Sequence, residues 1–489
     1  MPDTLAKLEP KPVWSQFSRI LEIPRPSKHE ERIAAHVLEV AKRHKVTADR
    51  DGAGNIVLRV PASAGHEKAP ITVLQSHLDM VCEKNRGTEH DFMKDPIRPR
   101  IEGDYLYATG TTLGADNGIG VAAALALLDT PKLVHGPLEL LFTLDEETGL
   151  TGAKNLSPKL LHGKRMINLD SEEDGYLYVG CAGGCDTRLT MRPAWSKAPA
   201  GSKGWRLTVS GLRGGHSGVQ IHENRGNAIK VLARLLREAQ RQGARFGLAA
   251  ISGGGKHNAI PREASADLSA AADHKKKLDQ VLHTMRPKLK VEFEGIDDGL
   301  KLELAALGGA PSKVLSADSR DRLLRLLEAL PHGVLGMSQA VPGMVETSNN
   351  LAVVTQDEGK SGTLTVWTSS RSSVAPILES LTAQIRAAGE LAEFEAQVGD
   401  HYPGWKPNPK SPILGVAKKV YKELFKKEPT VTAIHAGLEC GLIGEIYPEM
   451  DMVSMGPQIE APHSPDERVR ISSVQNFWTY LGGVLAALA

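Results

Sequence analysis

Cysteine is scarce, and its scarcity excludes a whole class of folds. Four cysteines (Cys82, Cys181, Cys185 and Cys440) in 489 residues do not make a disulfide framework. Cys181 and Cys185 lie close together, but no second Cys or His pair follows at zinc-finger spacing, so they read as small buried or strand-end residues. An excess of charge is also missing: 59 Lys and Arg face 58 Asp and Glu, a formal net charge of +1. That balance gives no electrostatic reason to expect nucleic acid or an anionic membrane as a partner. No run approaches the roughly 18 apolar residues that a membrane span needs. The first residues, MPDTLAKLEPKPVWSQF, lack the apolar stretch of a secretory signal. A cytoplasmic location is expected.

What is present is an ordinary globular composition, 41% hydrophobic and 24% charged, with 17 histidines. The length exceeds what one core supports, so at least two domains are expected. Residues 13–46 read as helical with a break at Ile23-Pro24-Arg25-Pro26. A strand is expected at 55–60 and buried strands at 71–77, 138–144 and 166–170, with an Ala-rich helix over 118–128. Strands alternating with helices indicate an α/β domain with its ligands at the strand C-termini. From about residue 187 the character changes. A strand, helix, two strands and a helix recur, once from 205 and again from a strand at 301–307, with a turn at Thr347-Ser348-Asn349-Asn350 in the second pass. The expected architecture is therefore an α/β catalytic domain over 1–186 and 401–489. An α+β lid, made of two tandem β-α-β-β-α-β halves, is inserted over 187–400.

Five short segments carry acids or histidines just past these strands. They are Ser76-His77-Leu78-Asp79, Leu113-Gly114-Ala115-Asp116-Asn117-Gly118, Thr143-Leu144-Asp145-Glu146-Glu147-Thr148-Gly149, Asn168-Leu169-Asp170-Ser171-Glu172 and Ala461-Pro462-His463-Ser464-Pro465. Alone, each reads as a solvated loop or a packed histidine. Together at one sheet edge, such carboxylates would repel one another without cations, and zinc suits mixed N and O donors. Two metals clamping one reacting centre need a shared carboxylate.

These segments, as SHLDM, GTTLGADNGIG, TLDEETGLTGA, INLDSEE and APHSPDERV, resemble the aminoacylase/carboxypeptidase family of di-zinc metallopeptidases, most closely its aminoacyl-histidine dipeptidase branch. The resemblance runs from about residue 12 to the C-terminus. It implies two Zn2+ per chain, with Co2+ or Mn2+ as substitutes. His77 and Asp170 would hold one ion, Glu147 and His463 the other, and Asp116 would bridge them, followed by a cis peptide to Asn117. Asp79 would fix the His77 tautomer. Glu146 would take a proton from the attacking water and return it to the leaving amine.

In the lid, Gly214-Gly215-His216-Ser217-Gly218 resembles the segment whose histidine polarises the scissile carbonyl, which makes His216 the oxyanion candidate. Asn258 matches a turn asparagine that contacts substrate. Arg371 matches the arginine that grips the substrate's C-terminal carboxylate, although Ser369 stands where many relatives have an acid. In His435-Ala436-Gly437-Leu438-Glu439-Cys440-Gly441, the backbone N–H of Gly437 would approach the same carboxylate. The implied activity is hydrolysis of small dipeptides, Xaa-His and carnosine-type substrates among them. The alternatives are an N-acyl amino acid amidohydrolase on the same site and a non-catalytic peptide-binding relative. A doubled lid would let one chain complete its own site, so a homodimer is possible but not needed.

Overall fold

Strand Thr72–His77 is buried at all six positions. It pairs in parallel with Leu138–Thr143 on one side and Arg165–Asn168 on the other. A strand covered on both faces needs apolar side chains on both, and Val73, Leu74, Leu140, Leu141, Phe142, Met166 and Ile167 provide them. The computed structural model describes Leu5, residues 7–357 and residues 362–489. The sheet runs Thr47–Arg50, Ile56–Val60, Leu138–Thr143, Thr72–His77, Arg165–Asn168, Asp451–Ser454, Tyr176–Cys181, Thr430–Ile434. Its centre is parallel, so several strand C-termini point to one edge. Helix Ala115–Ala126 is buried along its whole length, as its apolar run from Gly118 to Ala126 requires, and packs against Lys11–Leu21. The Pro-rich break separates Lys11–Leu21 from Glu31–Arg43. Among the described residues no helix is long and apolar enough to cross a membrane.

The chain packs as two compact units. The first holds residues 1–181, 405–433 and 438–489, and the second holds 182–404 and 434–437. Residues 434–437, read from the sequence as part of the catalytic domain, thus pack with the second unit. Cys181 ends one strand, Cys185 lies in the next, and both are free and buried.

The second unit is built on an antiparallel sheet ordered Lys301–Ala306, Lys203–Ser210, Ala264–Ala270, Gly247–Gly253, Val345–Gln356, Leu364–Ser372, Gly183–Met191, Glu395–Val398. Two β-α-β-β-α-β halves are present and meet at the Gly253–Val354 pair. They are nested, not tandem. Strand Lys301–Ala306, expected to open the second half, pairs with Lys203–Ser210 and closes the first. The second half opens with Gly183–Met191, which pairs with Leu364–Ser372 and Glu395–Val398. The first half is inserted behind it, through a two-stranded stem of Trp195–Lys197 and Lys313–Leu315. The reason lies in the side chains. Lys301 and Glu303 are exposed charges suited to a sheet edge, whereas Gly183–Met191 is buried at most positions, as an interior strand requires.

The expected turn at 347–350 is also corrected: strand Val345–Gln356 runs straight through it. Most of its polar side chains find partners inside the fold, although Asn350 Oδ1 is buried with no hydrogen-bond partner among the described residues. Asn349 Nδ2 donates to Pro331 O at 2.7 Å, Ser370 Oγ donates to Asn349 Oδ1 at 2.8 Å, and Asn350 Nδ2 donates to Ala259 O at 2.8 Å.

Candidate metal centre

Three neighbouring strand ends deliver the first donors. Thr72–His77 ends on His77, Arg165–Asn168 is followed by Asp170, and Leu138–Thr143 leads into a short helix, Glu146–Gly149. Asp145 turns into that helix in the left-handed region at φ 52° and faces inward, taking the hydroxyls of Thr148 and Thr151. The acidic run is thereby split: Asp145 is structural, while Glu146 and Glu147 face the cluster. Asp79 joins these pieces. Its Oδ1 lies 3.3 Å from His77 Nδ1 and accepts the Glu146 N–H at 3.0 Å, and its Oδ2 accepts Ser27 Oγ at 2.7 Å and the Glu147 N–H at 3.2 Å.

Asp116 comes from the start of helix Ala115–Ala126, and its peptide to Asn117 is cis, the isomer the resemblance implies. Two residues that the sequence reading passed over hold this loop. Glu467 accepts four consecutive backbone N–H groups: Leu113 and Gly114 on Oε2 at 2.7 and 2.9 Å, Ala115 and Asp116 on Oε1 at 2.7 and 3.3 Å. Arg25 is buried beneath, donating to Leu78 O at 2.9 Å, to Asp79 O at 2.5 Å and to Gly114 O. Gly114 has φ 69°, and a Cβ there would lie 2.6 Å from Arg25 Nη2, so only glycine fits. The available signals were the Pro-Arg-Pro break and the acid four residues after His463.

The centre is organised around the two oxygens of Asp116. His77 Nε2 is 3.2 Å from Asp116 Oδ1 and 3.2 Å from Asp170 Oδ1. His463 Nε2 is 3.2 Å from Asp116 Oδ2 and 3.0 Å from Glu147 Oε2. One ring nitrogen carries at most one proton and cannot satisfy two carboxylates, whereas a dication between them accepts all three donors. Glu147 Oε1 is buried with no hydrogen-bond partner among the described residues. The protonation preferences agree. Hydrogen bonds to Asp116 and Glu147 push His463 up to about 11. Burial, with the charges of Asp116 and Glu147, pushes Asp170 up to about 7 against the pull of His77. Burial opposes ionisation of Asp116, but hydrogen bonds from His463 and His77 hold its carboxyl well below the usual range. The cluster retains protons where a cation would displace them. Three sets of donors lie close enough together to hold an ion: His77, Asp116 and Asp170; Asp116, Glu147 and His463; and His77, Glu146 and Glu147.

The remaining site candidates lie in the second unit. Gly215–His216 pairs with Ala259–Ile260, and Ser217 N donates to Asn258 O at 2.9 Å, so His216 and Asn258 sit on one short ladder. His216 Nδ1 accepts the N–H groups of Gly218 and Val219 at 3.2 and 3.0 Å, which leaves its proton on Nε2. Arg371 is buried, and its Nη1 donates to Tyr402 Oη at 2.8 Å. His435 Nε2 lies 2.7 Å from Ser348 Oγ. A Cβ on Gly218 would come 3.3 Å from Arg371 Nε and 3.1 Å from His216 Cε1, and one on Gly437 would come 3.1 Å from the Tyr402 ring. The structure thus gathers His216 and Arg371 around Gly218, and sets Gly437 against Tyr402. Ser369 is buried.

Residues 73–487 match the model of Peptidase family M20/M25/M40. The chain is 44% identical over 481 residues to the cytosol non-specific dipeptidase of Escherichia coli (strain K12), covering 98% of each chain. It superposes on the aminoacylhistidine dipeptidase from Vibrio alginolyticus with a TM-score of 0.93 at 40% identity, covering 99% of this chain and 98% of the other. A Bacillus cereus aminopeptidase, at 16% identity and a TM-score of 0.57 over 98% of this chain and 99% of its own, shares the fold. The chain belongs to Peptidase family M20/M25/M40.

Proposed function

We propose that this metallopeptidase hydrolyses dipeptides at a two-zinc centre, with His77 and Asp170 on one ion, Glu147 and His463 on the other, and Asp116 shared. The observation that carries the reading is the facing of the two Asp116 oxygens toward two different His–carboxylate pairs. When bound, two such ions lower the pKa of water toward neutrality and polarise a carbonyl oxygen; cobalt and manganese suit the same donors.

Glu146 is the group we assign to proton transfer. Its carboxyl lies in the cluster beside His77 and Glu147, where a general base must stand to reach the reacting water. Its carboxylate oxygen accepts the proton of the attacking water and delivers it to the leaving amine nitrogen. Asp79 holds His77 and the Glu146 backbone in register. Burial, then the charges of Arg371 and His257, lowers the pKa of His216, so a neutral ring offers Nε2–H to the carbonyl oxygen. Arg371, with Asn258 and the Gly437 N–H, is assigned to the substrate's far end.

The finer reading, activity on Xaa-His dipeptides including β-alanyl-histidine, draws on the name of the V. alginolyticus protein. The name of the E. coli relative supports a broader range of dipeptides and a cytoplasmic location. The test is zinc content measured alongside rates on Xaa-His, Xaa-Xaa and N-acetylated substrates. Two zincs per active chain and a requirement for a free α-amine are expected. Faster turnover of N-acyl amino acids would reassign the chain as an amidohydrolase. We also assign His216 to its own chain's reaction. A mixture of Glu146→Gln and His216→Ala chains then stays inactive at every ratio, and recovery of activity would overturn that assignment.

A further inference from the structure

We propose that Tyr402 is a positioning residue for Arg371, fixing the guanidinium so that one of its two-donor edges faces the substrate's C-terminal carboxylate. The proposal rests on reading Arg371 as the carboxylate-binding group.

The argument starts from register. Ser348 pairs with Arg371, Arg371 with Gly184, and Gly184 with Tyr402. The last pair exchanges both backbone hydrogen bonds, Gly184 N to Tyr402 O and Tyr402 N to Gly184 O, each at 3.0 Å. These residues form one row across the sheet, in which neighbours share a face. Arg371 and Tyr402 stand two strands apart, roughly 10 Å between backbones at a spacing of about 4.8 Å per strand. Their side chains meet only because the residue between them is glycine. A Cβ on Gly184 would fall on the phenol oxygen and lie 2.5 Å from Tyr402 Cζ, and a Cβ on Gly437 would press the other ring edge at 3.1 Å. Two glycines thus wall a slot for this ring.

The slot has a consequence for the charge. Tyr402 Oη occupies Arg371 Nη1, while Arg371 Nε is buried and has no acceptor among the described residues. The edge formed by Nε and Nη2 is the one that matches a carboxylate with two parallel N–H···O bonds. An acid in this position would orient the guanidinium and also cancel its charge. A phenol orients it and leaves the charge to the substrate. Tyr402 is the partner this chain presents to its arginine.

Tyr402→Phe tests this, because it keeps the ring in the slot and deletes the oxygen. Matched dipeptides with a free C-terminus and with a C-terminal amide are compared. For the free acid, KM is expected to rise about tenfold, the scale of a hydrogen bond to a charged group, with kcat changed less than about twofold. KM for the amide should not move. Gly184→Ala, which displaces the ring from the other side, should give the same selective rise in KM for the free acid, with a lowered melting temperature from the crowded slot. Equal losses on acid and amide, or a loss of kcat alone, would make Tyr402 a structural residue only and overturn the proposal. Arg371→Ala, run in parallel, separates the two readings. A nonselective Arg371→Ala removes the carboxylate reading itself, while a selective Arg371→Ala with a silent Tyr402→Phe removes only the positioning role.

Discussion

The carboxylate of Glu467 is a cradle for the backbone of Asp116: it accepts the Asp116 N–H at 3.3 Å and the three N–H groups before it at 2.7–2.9 Å. Glu467 itself follows His463 by four residues, so one segment supplies a donor to the cluster and also fixes the loop that carries another. Glu467→Ala deletes no donor but frees this loop. Partners that orient ligands typically contribute about 10–100-fold in metal affinity. The expected result is metal loss at chelator concentrations that leave the unaltered protein loaded, read by metal content after dialysis. Retention equal to that of the unaltered protein would show that the loop holds its shape without the cradle.

Glu146→Gln should leave both metals bound and lower kcat by about 10²–10⁴-fold, the usual range for a general base. The amide keeps the shape and cannot accept the proton. Elemental analysis and steady-state rates on one dipeptide decide it. Loss of a metal from this variant would exchange the roles given to Glu146 and Glu147.

Asp116→Ala removes one contact from each ion and the negative charge between them. Two dications then face each other with nothing to offset their repulsion. At most one tightly held metal per chain is expected, with no measurable turnover. A variant that still carries two would rule out a shared Asp116.

The segments of the candidate centre were legible because its acids and histidines sit in short stretches at or just past the ends of buried strands, where period and composition mark the strand and an acid or histidine marks its end. His77, Asp79, Glu146, Glu147 and Asp170 all belong to this kind. Arg25 and Glu467 were not legible, because what they recognise is backbone: carbonyls at 78, 79 and 114, and N–H groups at 113–116. No side-chain pattern advertises such contacts. The same limit explains the nested halves. Element order along the chain is equally compatible with tandem and nested repeats, and strand pairing separates them: Lys203–Ser210 with Lys301–Ala306, and Gly183–Met191 with Leu364–Ser372 and Glu395–Val398. Asn349 and Asn350 read as a turn because paired asparagines usually make one. Here their amides pair with the carbonyls of Pro331 and Ala259 and with the hydroxyl of Ser370, all from other segments.

Two histidines of the second unit give its stability a pH dependence whose sign can be worked out. Burial, then the charge of Lys230, lowers His332 to about 4. Burial, then the charge of Arg371, lowers His435 to about 3. Each titrates near 6.5 when unfolded. Between the folded and unfolded values the unfolded chain binds more protons, so stability rises with pH there and falls on acidification. The window for His332 runs from about 6.5 down to about 4, with a slope of at most about 1.4 kcal/mol per pH unit. The acids of the metal cluster also respond in this range, so the test is a difference. His332→Gln removes the titrating ring and keeps an acceptor for Asn227 Nδ2, which lies 3.2 Å from His332 Nδ1. Melting temperatures of both proteins are measured from pH 7 to pH 4.5 at fixed metal loading. The unaltered protein should lose more on acidification, so that the two curves converge toward low pH. Curves that stay parallel across the window would show that His332 does not couple protonation to folding.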